Sequence, residues 1–413
     1  MREYIAFHQG KWWHFFMKPF YGLCVRKREG SRFSNFEVLL EEAREDFCAI
    51  SSAGGIHVVC QDKNGSILYL FFEGEVWRKK VLLENKEAKV YPKHFQLLSV
   101  GGFINLFYTI LHKEKHLLIH QILMAEDRPP TVVDSIRSEF PCFLAQIHSG
   151  TDITVLYEKE NGIFGSRLFR WSLKAFGKFM PIHPESACMV KAFLPEPDGR
   201  VRYGAFQKID RFYNLVYFEQ NQQGDYTEPV TVNLDCFPES EPIFNREDYT
   251  LCLFWQENGG IMSSCLQNEN GSWSKPVRYV LPSGVKTVLY GISDGGNMKY
   301  AYGYSNDYDV ILYGTEGLDC WTVAEEKPEF RLPGYEAEAF ASEMGVVTEE
   351  QDGFQKNPLM LQLQKELATL KEQLFRLRVE NKSLSERMEK MEQRIHIPLA
   401  EEECIDEVLL LDE

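Results

Sequence analysis

A period of just under 50 residues runs through the first 325 residues and constrains the fold more than any other feature. Seven short apolar runs begin similar units, and successive starts are 44 to 50 residues apart. The runs begin at Trp12, Ile56, Ile104, Ile153, Val201, Leu251 and Lys299. A repeat of this length indicates one supersecondary unit used many times.

Each unit carries the signals of several short antiparallel strands. Asn64-Gly65, Asn161-Gly162 and Asn258-Gly259 follow three of the first runs, and Asn-Gly tolerates positive φ at both centres of a tight hairpin turn. A glycine followed by an aromatic residue then recurs, as in Gly74 to Trp77. Four strands in about 45–50 residues are typical of one blade of a β-propeller.

The two ends of the repeat region complement each other. Glu3 to His8 reads as a strand without a partner, whereas the last unit lacks a fourth strand after Cys320 to Val323. Pairing Tyr4 to Phe7 with the last unit would close the ring and remove open sheet edges. The sequence therefore predicts an all-β, seven-bladed β-propeller over residues 1–325, since two stacked β-sandwiches explain neither the period nor the leftover strands.

The repeats resemble the degenerate propeller repeats of bacterial proteins related to sialidase-like and fucose-lectin-like propellers. The segment Asn268-Glu269-Asn270-Gly271-Ser272-Trp273 approaches the sialidase hairpin box S-x-D-x-G-x-T-W, with Asn270 in place of the aspartate. The resemblance implies a propeller that binds or processes glycans. Sialidases also need an arginine cluster and a tyrosine–glutamate pair, and no spacing here marks such a site, so we assign no catalytic residue.

Polar residues at the second position of four first runs are candidate binding residues. They are His57, Asn105, Thr154 and Arg202. If these runs are the innermost strands, the four side chains form a polar ring near one mouth of the central tunnel, where a small polar ligand or a peptide would bind. The alternative, which we favour, is that tunnel-facing side chains are polar because they meet water.

Composition limits the partners and the compartment. A net charge of −16 argues against sequence-independent binding to nucleic acid or binding to anionic lipid, because both need a basic surface. The ten cysteines include no C-x-x-C clip, so we expect buried, reduced thiols and neither a metal site nor a cofactor. No 18-residue apolar run and no signal-peptide pattern are present, so we expect a cytoplasmic protein without membrane insertion.

The composition changes after residue 325. Residues 326–357 are acidic and contain Pro328, Pro333 and Gly334, which predicts an extended linker. Residues 358–396 lack glycine and predict one helix, which begins at Pro358 and ends before Pro398. Residues 397–413 predict an acidic, disordered tail, although Val408 to Leu411 could instead dock into a partner groove.

The predicted helix has a narrow apolar seam with the heptad spacing of a coiled coil, and its leucines resemble a leucine zipper. Position a holds Met360, Leu367, Leu374, Asn381, Met388 and Ile395, and position d holds Leu363, Leu370, Leu377, Leu384 and Met391. A buried asparagine at a bonds its symmetry mate only in a parallel, in-register dimer, although leucine at a leaves a trimer open. The segment before the heptads is acidic, unlike the basic region of a DNA-binding zipper.

Two functional hypotheses follow from these features. The first is a non-enzymatic interaction or scaffold protein, in which a propeller recognition head binds another protein and a parallel coiled coil makes a homodimer. The alternative is a carbohydrate-binding or glycan-processing propeller, either a lectin or a sialidase-like enzyme. Two tethered heads would bind a repeated target with avidity in the first case.

Assembly through the heptads is testable by truncation. We expect the full-length chain to be dimeric and a chain that ends near residue 350 to be monomeric by light scattering, because the seam is then absent. Asn381→Leu should tighten association and broaden the oligomer distribution, because it removes the polar group that favours the dimer. A truncated chain that remains dimeric would contradict the assignment of assembly to this seam.

Overall fold

The protein is described by a computed structural model that covers residues 2–314 apart from 30–31, 87–88, 124–127, 138–142, 149, 183–187, 210, 248–249, 268–271, 280 and 307–308. These ranges contain β-strands and no helix, so the all-β prediction is confirmed for them. The same ranges accordingly contain no helix that could cross a membrane. The predicted strand Cys320 to Val323, the linker, the coiled-coil helix and the tail lie outside the described residues.

The described strands run in chain order from β1 to β29. The first fourteen are β1 (Arg2–His8), β2 (Lys11–Lys18), β3 (Gly22–Glu29), β4 (Arg32–Phe33), β5 (Glu37–Leu40), β6 (Phe47–Ser52), β7 (Gly55–Gln61), β8 (Ile67–Glu73), β9 (Val76–Leu83), β10 (Gln96–Val100), β11 (Phe103–His112), β12 (Lys115–Leu123), β13 (Thr131–Ile136) and β14 (Phe143–His148). The others are β15 (Asp152–Glu158), β16 (Phe164–Arg170), β17 (Ala175–Phe176), β18 (Met180–Pro181), β19 (Cys188–Pro195), β20 (Val201–Ile209), β21 (Phe212–Gln220), β22 (Val230–Cys236), β23 (Ile243–Glu247), β24 (Thr250–Glu257), β25 (Gly260–Cys265), β26 (Val277–Tyr279), β27 (Val288–Asp294), β28 (Asn297–Ser305) and β29 (Val310–Leu312).

Within the described residues these strands form six sheets. Four sheets are four-stranded antiparallel meanders, namely β6–β9, β10–β13, β19–β22 and β23–β26, and β14–β18 form a similar five-stranded sheet. The sixth sheet has eight strands, because β1 to β5 and β27 to β29 are joined by a pairing of β1 with β27. Sequential antiparallel meanders of this kind are the units of a propeller-like fold.

The N-terminal strand pairs with the last unit, as the sequence predicts for Tyr4 to Phe7. The register runs from Tyr4 opposite Gly291 to Phe7 opposite Asp294. The pairing is parallel and uses β27, the first strand of the last unit, whereas the sequence argument placed β1 as the missing fourth strand. β1 is therefore the first strand of its own meander and also joins that meander to the last one.

The predicted boundary between repeats is wrong by one strand, because each sheet begins one strand earlier in the chain than the sequence argument placed it. The run that begins at Trp12 lies in β2 and the run that begins at Ile56 lies in β7, so these runs are second strands. The segments predicted as fourth strands, such as Phe95 to Val100 and Thr287 to Ile292, are the first strands β10 and β27 of the following units. Periodicity sets the distance between equivalent strands, but it does not show where one sheet ends and the next begins.

The first strands of successive sheets contact one another and carry side chains that bond to the neighbouring strand. The Ser51 backbone N–H of β6 donates to Ser293 Oγ of β27 over 2.9 Å, and Ser51 Oγ donates to the Ser293 carbonyl over 3.1 Å. The Gln96 amide of β10 donates to the Ala145 carbonyl of β14 over 2.6 Å and accepts the Ala145 N–H over 2.9 Å. These contacts fix the spacing of the sheets where their first strands meet.

Of the three predicted Asn-Gly hairpin turns, one has two residues and the other two are longer loops. Asn258 and Gly259 both have positive φ, at 50° and 68°, as a two-residue hairpin turn requires. At the other two sites Gly65 and Gly162 have positive φ, but the preceding asparagines do not. There the glycine N–H bonds the carbonyl three residues earlier, and the loop is longer than predicted.

One cysteine pair differs from the expectation of reduced thiols. Cys252 and Cys265 form a disulfide between β24 and β25, whereas Cys24, Cys48 and Cys60 are buried thiols as predicted. Counting outward from the tight turn between these two strands places Cys252 directly opposite Cys265. The sequence therefore contained the signal for this pair in its hairpin register rather than in a C-x-x-C clip.

A buried polar cluster links the first three strands to the last unit. His14 Nε2 bonds Glu3 Oε2 over 2.7 Å, and Arg26 Nε donates to His14 Nδ1 over 3.0 Å. Arg26 also donates to the Asn306 carbonyl beside β28, and its guanidinium lies over the Phe33 ring. Glu3, His14 and Arg26 are each at most 7% exposed, so the cluster depends on its internal partners rather than on water.

Removing the cation from this cluster should destabilise the fold. Arg26→Met keeps much of the side-chain volume but leaves the buried Glu3 carboxylate without a nearby guanidinium, and we expect a loss of about 3–5 kcal/mol in the free energy of unfolding. Urea unfolding followed by tryptophan fluorescence measures it. Arg78→Met is the matched control, because Arg78 is largely exposed, and the change there should stay within about 0.5 kcal/mol. Equal effects of the two substitutions would contradict a stabilising role for the cluster.

Candidate functional site

The four residues predicted for a tunnel ring lie one strand away from the first strands. His57, Asn105, Thr154 and Arg202 are on β7, β11, β15 and β20, the second strands of four different sheets. All four are at most 9% exposed. The structure distributes them among four sheet interiors, and their role in ligand binding stays a prediction.

His57 has both ring nitrogens occupied. Nδ1 lies 2.7 Å from the Tyr69 hydroxyl and Nε2 lies 2.7 Å from Ser52 Oγ. Burial, with a smaller contribution from His8, lowers the pKa of His57 to about 4, so the imidazole is neutral at pH 7. This is the bonding of a structural histidine.

Arg202 belongs to a charged cluster that the sequence did not reveal. The cluster contains Glu196, Asp198, Arg200, Arg202, Tyr217, Glu219 and Arg246. Arg246 reaches both Glu196 oxygens at 2.7 and 2.9 Å, and Arg202 Nε lies 2.8 Å from Glu196. Tyr217 donates to Glu219, so arginines and a tyrosine–glutamate pair do come together here. Three carboxylates offset the three guanidinium groups, so the cluster holds no uncompensated cation for an acidic substrate.

The region where the first strands meet contains little space. A cavity of about 70 Å³ lies there, and its wall includes Arg2, Gln96, Lys191, Glu241 and Tyr300. Arg2 and Glu241 form an ion pair across it. This volume is well below the roughly 300–1,000 Å³ of small-ligand pockets.

A larger groove of about 450 Å³ lies between the sheets β14–β18 and β19–β22. Its lining is mostly apolar and includes Leu144, Leu156 and Phe164. The charged residues in it are of both signs, and Arg137 pairs with Glu158 at 2.9 Å. Nothing in this groove favours one ligand chemistry over another.

The most distinctive site is a cavity of about 320 Å³ between the sheets β10–β13 and β14–β18, which we call the basic cavity. Its lining residues are His120, Ile122, Arg128, Pro129, Thr131, Val132, Arg167, Phe169, Lys174, Ala175 and Phe176. These described lining residues include three cationic side chains and no carboxylate. The volume is that of a small-ligand pocket.

Packing between the two sheets places Lys174 at this cavity. The Trp171 indole lies against Gly101 in the β10–β11 turn, where a Cβ atom would come within 2.7 Å of the ring nitrogen. The Trp171 backbone N–H donates to Asp152 Oδ1 over 2.9 Å, which holds the start of the β16–β17 turn. Lys174 ends that turn and its ammonium lies over the Trp171 ring. A glycine in one sheet and a tryptophan in the next thus fix the position of a cation.

The cations of the basic cavity are incompletely neutralised. In the described part of the chain neither Arg128 nor Lys174 forms an ion pair with a carboxylate, and desolvation together with repulsion from Arg128 lowers the pKa of Lys174. Arg167 lies 3.3 Å from Asp134, but Asp134 also accepts the Tyr157 hydroxyl over 2.8 Å. An excess of positive charge therefore faces the cavity.

His120 contributes a neutral polar group to the same wall. It is 3% exposed and its ring stacks on Phe107 at 4.6 Å. Burial lowers the pKa of His120 to about 4, and Nε2 lies 3.0 Å from Asn105 Oδ1. Asn105 donates its own amide to the Phe103 carbonyl, so its Oδ1 accepts the Nε2–H and His120 Nδ1 carries a lone pair.

Metal chemistry receives no support from the described residues, since they include no group of three His, Cys, Asp or Glu side chains arranged to hold an ion.

Comparisons with known proteins concern the fold. No family model matches the sequence, and no curated protein matches it. A six-bladed β-propeller fucose lectin from Aleuria aurantia is similar at 14% identity and a TM-score of 0.40, over 68% of this chain and 96% of that chain. AofleA from Arthrobotrys oligospora matches at 14% identity and a TM-score of 0.41, over 66% and 84%. An ulvan lyase, a polysaccharide lyase, matches at 12% identity and a TM-score of 0.48, over 75% and 91%. At these values the likenesses carry no argument about a ligand.

The two neutral, buried histidines make stability depend on pH. An unfolded imidazole binds a proton near pH 6.5, whereas His57 and His120 in the folded state bind one near pH 4, so the unfolded state gains protons first as the pH falls. Between pH 7 and pH 5 each should reduce the free energy of unfolding by about 2 kcal/mol. Urea titrations of the wild type and His120→Gln at both pH values test this. The variant should lose about 2 kcal/mol of the pH difference, and a variant that keeps the full difference would contradict this role of His120.

Proposed function

We propose that this protein is a saccharide-binding β-propeller and that the basic cavity is its binding site. The observation that carries the proposal is the lining of this cavity, in which aromatic rings and hydrogen-bonding side chains surround one open cavity of about 320 Å³. A pyranose has an apolar C–H face and a rim of hydroxyls. Phe169 and Phe176 match the face, and Thr131, His120 and the cations match the rim.

The lining favours binding over turnover. Most glycoside hydrolases place two carboxylates on either side of the scissile bond, one as acid and one as base or nucleophile. Among the described residues of the basic cavity there is no Asp or Glu. The Asp134 carboxylate, which contacts the lining residue Arg167, also accepts a hydrogen bond from the Tyr157 hydroxyl. This supports a lectin-like role within the carbohydrate alternative.

The architecture that we propose has seven blades. The eight-stranded sheet contains two meanders, β1–β5 and β27–β29, which meet only through the parallel pairing of their first strands. Counting them as two blades and adding the five other sheets gives seven, in agreement with the seven repeats in the sequence.

The scaffold hypothesis enters this proposal as a mode of assembly. The heptads over 358–396 support a parallel homodimer that carries two heads, and two heads would bind a repeated glycan with greater apparent affinity than one. A cytoplasmic location and a protein partner at a propeller face remain proposals from the sequence alone.

Loss of the aromatic wall should weaken binding. A glycan array identifies a bound saccharide, and titration calorimetry with the full chain measures its affinity. Phe176→Ala should lower that affinity at least tenfold, because the ring provides packing area for the C–H face. Phe212→Ala is the matched control, because this partly exposed phenylalanine lies on β21 outside the cavity, and it should leave the affinity unchanged.

Two results would contradict the proposal. One is the absence of saccharide binding at millimolar concentration by a protein that captures only polypeptides, which would favour the scaffold hypothesis. The other is saccharide binding that Phe176→Ala leaves intact, which would move the site elsewhere on the molecule.

A further inference from the structure

The charges of the basic cavity distinguish among saccharides. Among its described lining residues three side chains are cationic and none is acidic, in a chain whose net charge is −16. A neutral sugar would need hydrogen-bond acceptors as well as donors around its hydroxyls, and acidic side chains commonly provide those acceptors. Arginine and lysine only donate, so the cavity is rich in donors and contains few acceptors.

Arg128 and Lys174, which have no carboxylate partner among the described residues, both line the basic cavity. Arg128 lies in the segment before β13 and Lys174 lies in the turn before β17, so they come from adjacent sheets. Their charges repel, since Arg128 lowers the pKa of Lys174. Holding like charges together costs free energy in the empty site, and an anion placed between them removes that cost.

Arg167 adds a third, partly compensated charge deeper in the wall. Its Nη1 donates to the Val133 carbonyl over 3.0 Å, which fixes the orientation of the guanidinium. Its Nε is buried without a hydrogen-bond acceptor in the described structure. The Asp134 carboxylate lies 3.3 Å from Arg167 and 3.4 Å from Lys159, so one negative charge is shared between two cations. The aromatic residues beside these groups make the environment less polar, which strengthens a charge-assisted hydrogen bond.

We infer that the basic cavity selects saccharides that carry a negatively charged group, either a carboxylate or a sulfate ester, with Arg128 and Lys174 as the groups that bind the anion. This inference rests on the proposed function, since it names the ligand class of the same site. Phe169 and Phe176 then contact the sugar ring, whereas the charged group lies between the two cations.

The experiment compares matched ligands and matched variants of the full chain. The ligands are methyl glucoside, methyl glucuronide and galactose 6-sulfate, with inorganic sulfate as the anion without a sugar. The double variant Arg128→Gln/Lys174→Gln removes both cations, and the control Arg78→Gln/Lys80→Gln removes one arginine and one lysine from the exposed face of β9. Circular dichroism and thermal unfolding establish that each variant is folded.

We expect at least one acidic sugar to bind tenfold or more tightly than methyl glucoside, and the advantage to fall as the salt concentration rises. The cavity double variant should lose this advantage and keep the affinity for the neutral sugar, while the control keeps both. A comparison of the affinities for methyl glucuronide and galactose 6-sulfate shows whether the site prefers a carboxylate or a sulfate ester.

Each opposite result has a distinct meaning. Equal binding of neutral and acidic sugars that still depends on Phe176 would overturn the charge selectivity and leave the saccharide-binding function intact. Binding of inorganic sulfate as tightly as any sugar would overturn the selectivity for saccharides. Absence of binding by all four ligands would overturn both the inference and the proposed function for these ligand classes.

Discussion

The whole arrangement depends on how the first strands of successive sheets bond to one another. At two sheet boundaries the link is a side chain that bonds backbone of the neighbouring strand, as Gln96 does with Ala145 and Ser51 does with Ser293. Between β1 and β27 the link is a continuous parallel ladder. A sheet edge that is bonded in this way cannot recruit another chain, and the lateral position of each sheet is set to within a hydrogen-bond length. The basic cavity lies between two sheets, so its width follows from the same contacts.

Two groups of charges in the molecule have opposite chemical consequences. The cluster around Arg202 contains equal numbers of guanidinium groups and carboxylates, so its charges compensate one another. The basic cavity has cations from two sheets, and its described lining residues include none that is acidic. Stabilising networks in protein interiors commonly contain charges of both signs that balance one another. A group of like charges without counter-charges does not stabilise the fold, which is why such a group indicates a functional site. We therefore propose the second group as the ligand site, although the first has the residue types that a sialidase-like resemblance would favour.

The sequence predicted the elements of the fold better than their phase. Apolar runs such as Ile56 to Cys60 and the terminal strand Glu3 to His8 are strands, and the N-terminal strand does pair with the last unit. The phase could not be read, because first and second strands are both buried and both apolar. His57 and Arg202 illustrate the consequence, since a polar residue in an apolar run can face a tunnel or can bond neighbours inside a sheet. The basic cavity left no local signal, because Arg128, Arg167 and Lys174 come from separate segments that only the lateral packing of two sheets brings together.

The parallel pairing of β1 with β27 also has a consequence for biosynthesis. β1 (Arg2–His8) is synthesised well before its partner β27, which begins at Val288. At roughly 5–20 residues per second, this delay is on the order of 15–60 s. During that interval one edge of β1 has no partner strand on the nascent chain. This strand contains Tyr4, Ile5 and Ala6, which are buried in the finished protein. The ribosome-bound chain is therefore the species in which this protein is most exposed to mispairing and to capture by chaperones.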